Sequence, residues 1–310
     1  MPALVESMFY AGREVPWHGL GKQVEHAPSS SEAIIYAGLD WDVVQEPVFL
    51  LGGKKIEGAY ANLRSTDRQV LGVVGNKYRI VQNRDAFSFT DALLGEGVKY
   101  ETAGSLRDGK TVWLLAKLPD TYEILGDKVD PYVCFTNTHD GTGSVKVVCT
   151  NVRVVCNNTL SLALRTAQRS WSTRHTGNVN MKLEEARETL DLADKYMKAT
   201  QQAFEELHQI KFNDATLFKT LDIIVPFDDE MPERQKNNAK TVRDDIITRY
   251  RTAPDLVNLD HTAARFIQAV ADTSDHMDPL RKTKNFDENR FRHVLDGNTL
   301  VNKAYKVLVA

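Results

Sequence analysis

The feature that most constrains this chain is a change of hydrophobic period near residue 180. From Asp42 to about Leu118, apolar residues come in short alternating runs, VVQEPVFLL, GAYANLRST, QVLGVVGNKYRIVQ and KTVWLLAKL. Turn signals at Gly52-Gly53, Asp67, Gly75-Asn76 and Asp108-Gly109 separate them. Period two in Val-, Ile- and aromatic-rich runs predicts half-buried strands, and Asp108-Gly109 predicts a hairpin closed by a primed turn. PYVCFTNTH and SVKVVCTNV, on either side of Asp140-Gly141-Thr142-Gly143, predict another hairpin. After Asn180 the apolar residues step by three and four instead: Leu183, Ala186, Leu190, Ala193, Met197, Thr200, Phe204 and Leu207. That seam belongs to one long amphipathic helix, which packs on the sheet or, alternatively, on a neighbouring subunit.

The remaining segments fit the same division. SSSEAIIYAGLDW reads as a helix capped at Ser29, Ser30 or Ser31, with Glu32 in its positively polarised first turn and Gly38 at its end. Residues 84–94 form a helix between strands, and RVVCNNTLSLALRTAQR reads as a strand turning into a helix. RQKNNAKTVRDDIITRYRTAP, HTAARFIQAVADTSDHMDP and NTLVNKAYKVLVA are further helices, and RKTKNFDENRFRHVLDG is a polar connection. The fold class expected is α+β, an antiparallel sheet body with flanking helices over residues 1–180 and a mostly helical region over 181–310.

Composition narrows the function. Hydrophobic residues are 42% and charged residues 26% of the 310, the balance of a globular chain with a real core. No apolar run approaches the roughly 20 residues that span a bilayer, so no membrane partner is expected. The first residues lack the basic and apolar regions of a secretory signal. Three cysteines without a CxxC pair make a poor disulfide framework, which fits a cytoplasmic setting.

No enzymatic machinery is visible. Cys149 or Cys156 beside His139 or His175 is the one thiol–imidazole combination to weigh, and both cysteines lie in apolar runs that favour inert burial. The histidines show no HxH or HExxH spacing, the Asp-rich segments lack the calcium-loop pattern, and no GxxxxGK[ST] occurs. No cofactor, metal or catalytic residue is expected.

Charge distribution is more informative. Gly141–Lys182 holds Lys146, Arg153, Arg165, Arg169, Arg174 and Lys182 and no acidic residue, in a chain of net charge -3. On a helix, Arg165 and Arg169 sit one turn apart and can grip successive phosphates. Trp171 offers a stacking face for an unpaired base, and Arg174 with His175 follows just beyond it. Asn157 and Asn158 supply short polar groups at the strand-to-helix junction, where helix amides favour an anion. Lys77, Tyr78 and Arg79 form a second basic-aromatic group. The alternative reading of both is simple charge balance against the acidic helix that follows.

Trp17-His-Gly-Leu-Gly21, Asn76-Lys-Tyr-Arg-Ile-Val-Gln-Asn83, Arg153-Val-Val-Cys-Asn-Asn-Thr-Leu160 and Arg174-His-Thr-Gly-Asn178 resemble the phage/plasmid-like protein family, domain of unknown function 932. The resemblance implies a phage or plasmid context inside a bacterial host cell and brings no established activity. The layout is also similar, at the level of fold only, to phage single-strand annealing proteins, with a sheet hairpin, a basic helix and a helical assembly region. The function expected is therefore a non-enzymatic, homo-oligomeric binder of single-stranded DNA in recombination or replication. The alternative is a module that binds a host protein through the Leu183–Leu207 seam, for instance in counter-defence.

Overall fold

The computed structural model describes residues 5–11, 22–26, 28–94, 99–118, 120–153, 158–159, 170–177, 188–228, 230–256, 259–278, 280 and 299–309. Twelve strands and seven helices are defined among them. The strands are β1 (Val5–Ala11), β2 (Lys22–Val24), β3 (Val43–Phe49), β4 (Lys55–Arg64), β5 (Val70–Gly75), β6 (Lys99–Leu106), β7 (Thr111–Lys117), β8 (Tyr122–Ile124), β9 (Asp127–Thr138), β10 (Val145–Arg153), β11 (Asn158–Thr159) and β12 (Ser170–Thr173). The helices are α1 (Ser30–Tyr36), α2 (Asn83–Leu94), α3 (Glu188–Gln209), α4 (Asp214–Ile224), α5 (Glu233–Thr252), α6 (Ala263–His276) and α7 (Thr299–Leu308).

The large sheet runs β11-β10-β9-β7-β6-β1-β2, with β12 also on β10 and β8 on β9; β3-β4-β5 form a separate three-stranded sheet. Every pairing is antiparallel except β1 with β2. This is the α+β architecture that the change of period predicts. The β6–β7 hairpin closes through Arg107, Asp108 and Gly109, all at positive φ, so the mirror-image backbone starts one residue before the Asp-Gly pair. In α1, the Glu32 carboxylate accepts from the Ser29 backbone N–H at 3.0 Å and from its hydroxyl at 2.7 Å, which fixes the helix start at the expected serine.

Two large apolar cores result, beside a small cluster of Met8, Leu106 and Trp113. One lies between the large sheet, α1 and α2 and takes in Phe9, Trp41, Leu71, Phe87, Tyr100, Leu114 and Phe135. The other gathers α3 to α7, with Ile124 and Val129 from the β8–β9 hairpin. Helix α3 spans both, since Ala193 and Tyr196 belong to the sheet core while Met197, Phe204 and Leu207 belong to the helical one. The described part of the long seam is thus buried inside the chain's own body, because α3 packs on α6, β8 and β10. A partner-facing or oligomer-forming role for those residues is corrected on that ground.

The run after Gly75 is not a strand; residues 76–82 have no ladder partner, and side-chain amides hold them instead. Gln82 accepts from Val43 N–H at 2.8 Å and donates to Val43 C=O at 3.0 Å, standing in for a missing strand. Helix α4, DATLFKTLDII, is an element that the seam, ending at Leu207, does not foresee. The early Trp17 segment, the expected basic helix, the expected boundary near 180 and the expected polar connection fall on residues 12–21, 160–169, 178–187 and 281–298, which lie outside the described residues.

Candidate nucleic-acid interface

The candidate surface rests on a rail, the end of β9 and the turn that follows it. Asn137, Thr138 and His139 sit where β9 leaves the large sheet, and each anchors a different part of the chain. Asn137 donates to Val81 C=O at 2.9 Å, and Thr138 C=O accepts from the Tyr78 hydroxyl at 2.8 Å. His139 C=O accepts from the Asn62 amide of β4 at 2.6 Å. Strand β5 presses on the next residue: a Cβ at Gly72 would lie 2.5 Å from Asp140 Cα and 2.7 Å from its carbonyl oxygen. The three-stranded sheet and the 76–83 segment are therefore docked on the β9–β10 turn by main-chain contact and buried amide bonds.

Inside the rail, protonation states follow from the partners. Asn83 donates its amide to Leu39 C=O and Trp41 C=O, so its Oδ1 faces His139 Nε2 at 3.0 Å and that nitrogen carries the proton. His139 is completely buried, and burial, helped by nearby His175 and opposed by Asp140, holds its pKa down at about 3. The imidazole is neutral. His175 Nδ1 donates to Arg79 C=O at 3.0 Å, and Arg79 N–H returns a bond to His175 C=O at 2.8 Å. Burial also lowers His175, with the Arg79 carbonyl and Asp140 opposing it. Its ring stacks on Tyr78 with centroids 4.6 Å apart, and burial, reinforced by Asp140, pushes the Tyr78 phenol up, so the hydroxyl stays a neutral donor.

This reciprocal pair joins two basic segments that are almost a hundred residues apart in sequence. β12 lies along β10 with Lys146 opposite Ser172 and Val147 opposite Trp171. Alternation puts Val147 and Trp171 on the core side, so Trp171 packs against the sheet core rather than standing out as a stacking platform. Tyr78 and His175, at 9% and 3% exposure, likewise shape the surface from beneath and are not contact residues. Burial corrects the assignments of Tyr78 and His175, and that of Trp171, which is only partly buried, is corrected by the face it takes against the sheet core. Lys77, Arg79 and Arg174 are exposed side by side with this pair, and Lys146 is half-buried on the face of β10 opposite Trp171. Among the described residues, no carboxylate lies within ion-pair distance of Lys77, Arg79 or Arg174. Arg84, by contrast, is paired with Asp42.

Arg153 and Asn158 face each other across the β10–β11 ladder, with their side chains outside the described residues. Asn157, Arg165, Arg169 and Lys182 lie outside them altogether. Cys149 is buried in the sheet core, which gives a pairing of that thiol with His139 or His175 no open face, and Cys156 lies outside the described residues. Among the described residues, no cluster of three or more His, Cys, Asp or Glu could hold a metal ion, and no helix is long and apolar enough to cross a membrane.

The family described as Domain of unknown function (DUF932) matches residues 70–295, which is 226 of the 310 residues. The chain belongs to the DUF932 family. The match opens on the first residue of β5 and covers the whole rail, so the joining of the two basic segments lies within the DUF932 region. No curated protein and no solved structure matches this DUF932 chain. The supporting residues Asn62, Asn83 and Asn137 are not among those picked out by charge or aromatic pattern. Their signal in sequence is an Asn in or beside an apolar run, where burial forces the amide to find backbone partners.

Proposed function

We propose that this DUF932 protein is a non-enzymatic binder of single-stranded DNA that serves phage or plasmid recombination or replication as a homo-oligomer. One observation carries the reading: the Arg79–His175 exchange brings Lys77, Arg79 and Arg174 onto one surface with no carboxylate among the described residues within ion-pair distance of them. The acid-free stretch Gly141–Lys182 supplies further cations in the same part of the chain. Cations fixed on a rigid backbone, with their aromatic neighbours buried beneath, favour phosphate contacts over base readout, which predicts sequence-independent and salt-sensitive affinity. Strand annealing is the further step this reading allows. With the described seam buried, binding of a host protein through Met197, Phe204 and Leu207 loses its surface.

Fluorescence anisotropy with a labelled single-stranded oligonucleotide, against duplex and at two salt concentrations, tests the reading. Tight, salt-dependent binding that favours the single strand is expected. K77E/R79E/R174E should raise Kd by more than about tenfold and flatten the salt dependence by about three phosphate contacts, with an unchanged melting temperature. No binding at low salt, or unaltered binding by a folded variant, sinks it.

A further inference from the structure

The β3–β4 hairpin extends past the sheet that carries it. β5 pairs with β4 only as far as Ala59, opposite Gly75, while the hairpin continues from Pro47 and Gly58 out to a tip at Leu50–Gly53. Register shifts between Pro47 and Phe49, and Gly58 has φ +75, so the projecting part leaves the sheet at a built-in bend. The tip itself is a closed turn. Leu50 N–H donates to Lys54 C=O and Gly53 N–H to Leu50 C=O, each at 2.8 Å, with Gly53 at φ +79 supplying the left-handed step. A Cβ at Gly52, Gly53 or Gly58 would meet nothing within 4 Å, so no other part of the described chain covers the arm there.

What this ordered tip presents is unusual for a surface. Phe49 and Leu50 are each 55% exposed and Leu51 is fully exposed, three consecutive large apolar side chains. Exposed Lys54 and Lys55 follow, and neither has a carboxylate within ion-pair distance among the described residues. Glu46, at the foot of the arm, is held by Arg68 at 2.5 Å, which leaves Glu57 as the arm's own acidic group. The combination of apolar tip and flanking cations suits a partner that is apolar and anionic within a few ångströms, as an unpaired base and its phosphate are. Position decides the occupant. Gly75, which pairs at the foot of the arm, runs directly into Asn76, Lys77, Tyr78 and Arg79, so the arm rises from the same end of the three-stranded sheet as the basic surface.

We infer that the 47–58 hairpin is a second contact element for the same single strand, with Leu50 and Leu51 packing on unpaired bases and Lys54 and Lys55 on the flanking phosphates. This rests on the nucleic-acid reading above and adds to it the base contacts that Trp171 and Tyr78 do not provide. The arm would hold a strand already seated on Lys77, Arg79 and Arg174, and because every base offers an apolar face, its contribution is tolerant of sequence.

The test compares the full chain with L50S/L51S and K54Q/K55Q on a labelled single-stranded oligonucleotide across a salt series, together with a 2-aminopurine oligonucleotide that reports base stacking. All four side chains are exposed, so each variant should melt with the wild type. L50S/L51S should weaken binding about tenfold with the salt slope intact and should abolish the 2-aminopurine change. K54Q/K55Q should reduce the slope by about two contacts. Wild-type affinity and an unchanged 2-aminopurine response in L50S/L51S would overturn the arm's role while leaving the basic surface standing. Failure of the wild type to bind at low salt would remove both. Sedimentation with phosphatidylserine vesicles that is lost in L50S/L51S, with DNA affinity unaffected, would overturn the assignment in favour of a lipid surface.

Discussion

Replacing Gly72 by Val is expected to destabilise the protein by more than about 3 kcal/mol, the upper range for overpacking a contact that cannot relax. The reason is what lies opposite. The first atom of any side chain would stand 2.5 Å from Asp140 Cα, 2.7 Å from its carbonyl oxygen and 2.9 Å from its carbonyl carbon. All three are backbone, held by the β9–β10 ladder on one side and by the Asp140 carboxylate accepting from Thr142 N–H at 2.9 Å on the other. No rotamer change relieves such a clash; either β5 moves off the turn or the turn leaves the sheet. Movement of β5 also pulls on Asn62, whose amide reaches His139 C=O, and on the 76–79 segment that carries the basic surface. Gly52→Val is the control, since its Cβ meets nothing within 4 Å, and it should leave stability within about 0.5 kcal/mol. Urea midpoints at constant m-value measure both. Equal midpoints for the two variants would show that β5 and the turn are not in contact.

How much of this was legible beforehand depends on whether the information is local. The strands of the β3–β4, β6–β7 and β9–β10 hairpins follow from alternation and turn residues, and α1, α2, α5, α6 and α7 follow from period and caps, because the deciding interactions fall within a few residues. The run Asn76–Gln82 misleads because its apolar alternation is real while its backbone bonds go to side chains distant in sequence: Gln82 on Val43, Asn137 on Val81 and His175 on Arg79. Nothing local announces those partners. The same limit explains the mixed outcome at the interface. Basic residues are visible as such, but whether an aromatic beside them faces solvent depends on strand register, and the pairing of Trp171 with Val147 turns it inward. Tyr78 and His175 each look like a contact residue alone, and each becomes scaffold because the other buries it. The seam shows the converse case. Its period establishes a helix with one apolar stripe but leaves the occupant of that stripe open, and the answer, α6 together with β8 and β10, is tertiary.

The rail should also make the fold acid-sensitive, through His139 above all. A histidine whose folded pKa is depressed gives stability that is complete above its unfolded value, 6.5, and lost as pH falls toward the folded value, because only the unfolded chain takes up the proton. With the folded value at about 3, His139 alone should remove about 2 kcal/mol by about pH 5, at 1.36 kcal/mol for each unit below 6.5. His175, lowered for the same reason, adds to the loss in the same direction. The groups around them do not cancel it: Asp140 pulls both values up, but its carboxylate is already engaged with Thr142 and lies 3.7 Å from Arg107. Protonating His139 would place a charge beneath Trp41, whose ring lies 5.5 Å away edge-on, and would push the unprotonated Nδ1 into donating where no acceptor is within reach among the described residues. Unfolding by urea from about pH 7.5 down to about pH 5 reads the effect. His139→Gln keeps an amide that can donate to Asn83 Oδ1 and cannot titrate, so it should be less stable than the wild type at neutral pH and clearly flatter below it. Parallel slopes in the two proteins would mean that His139 takes up its proton as easily folded as unfolded, and the buried neutral rail would be wrong. If the slopes diverge, DNA affinity should follow them, since the bonds that join Arg79 to His175 loosen when the rail beneath them does.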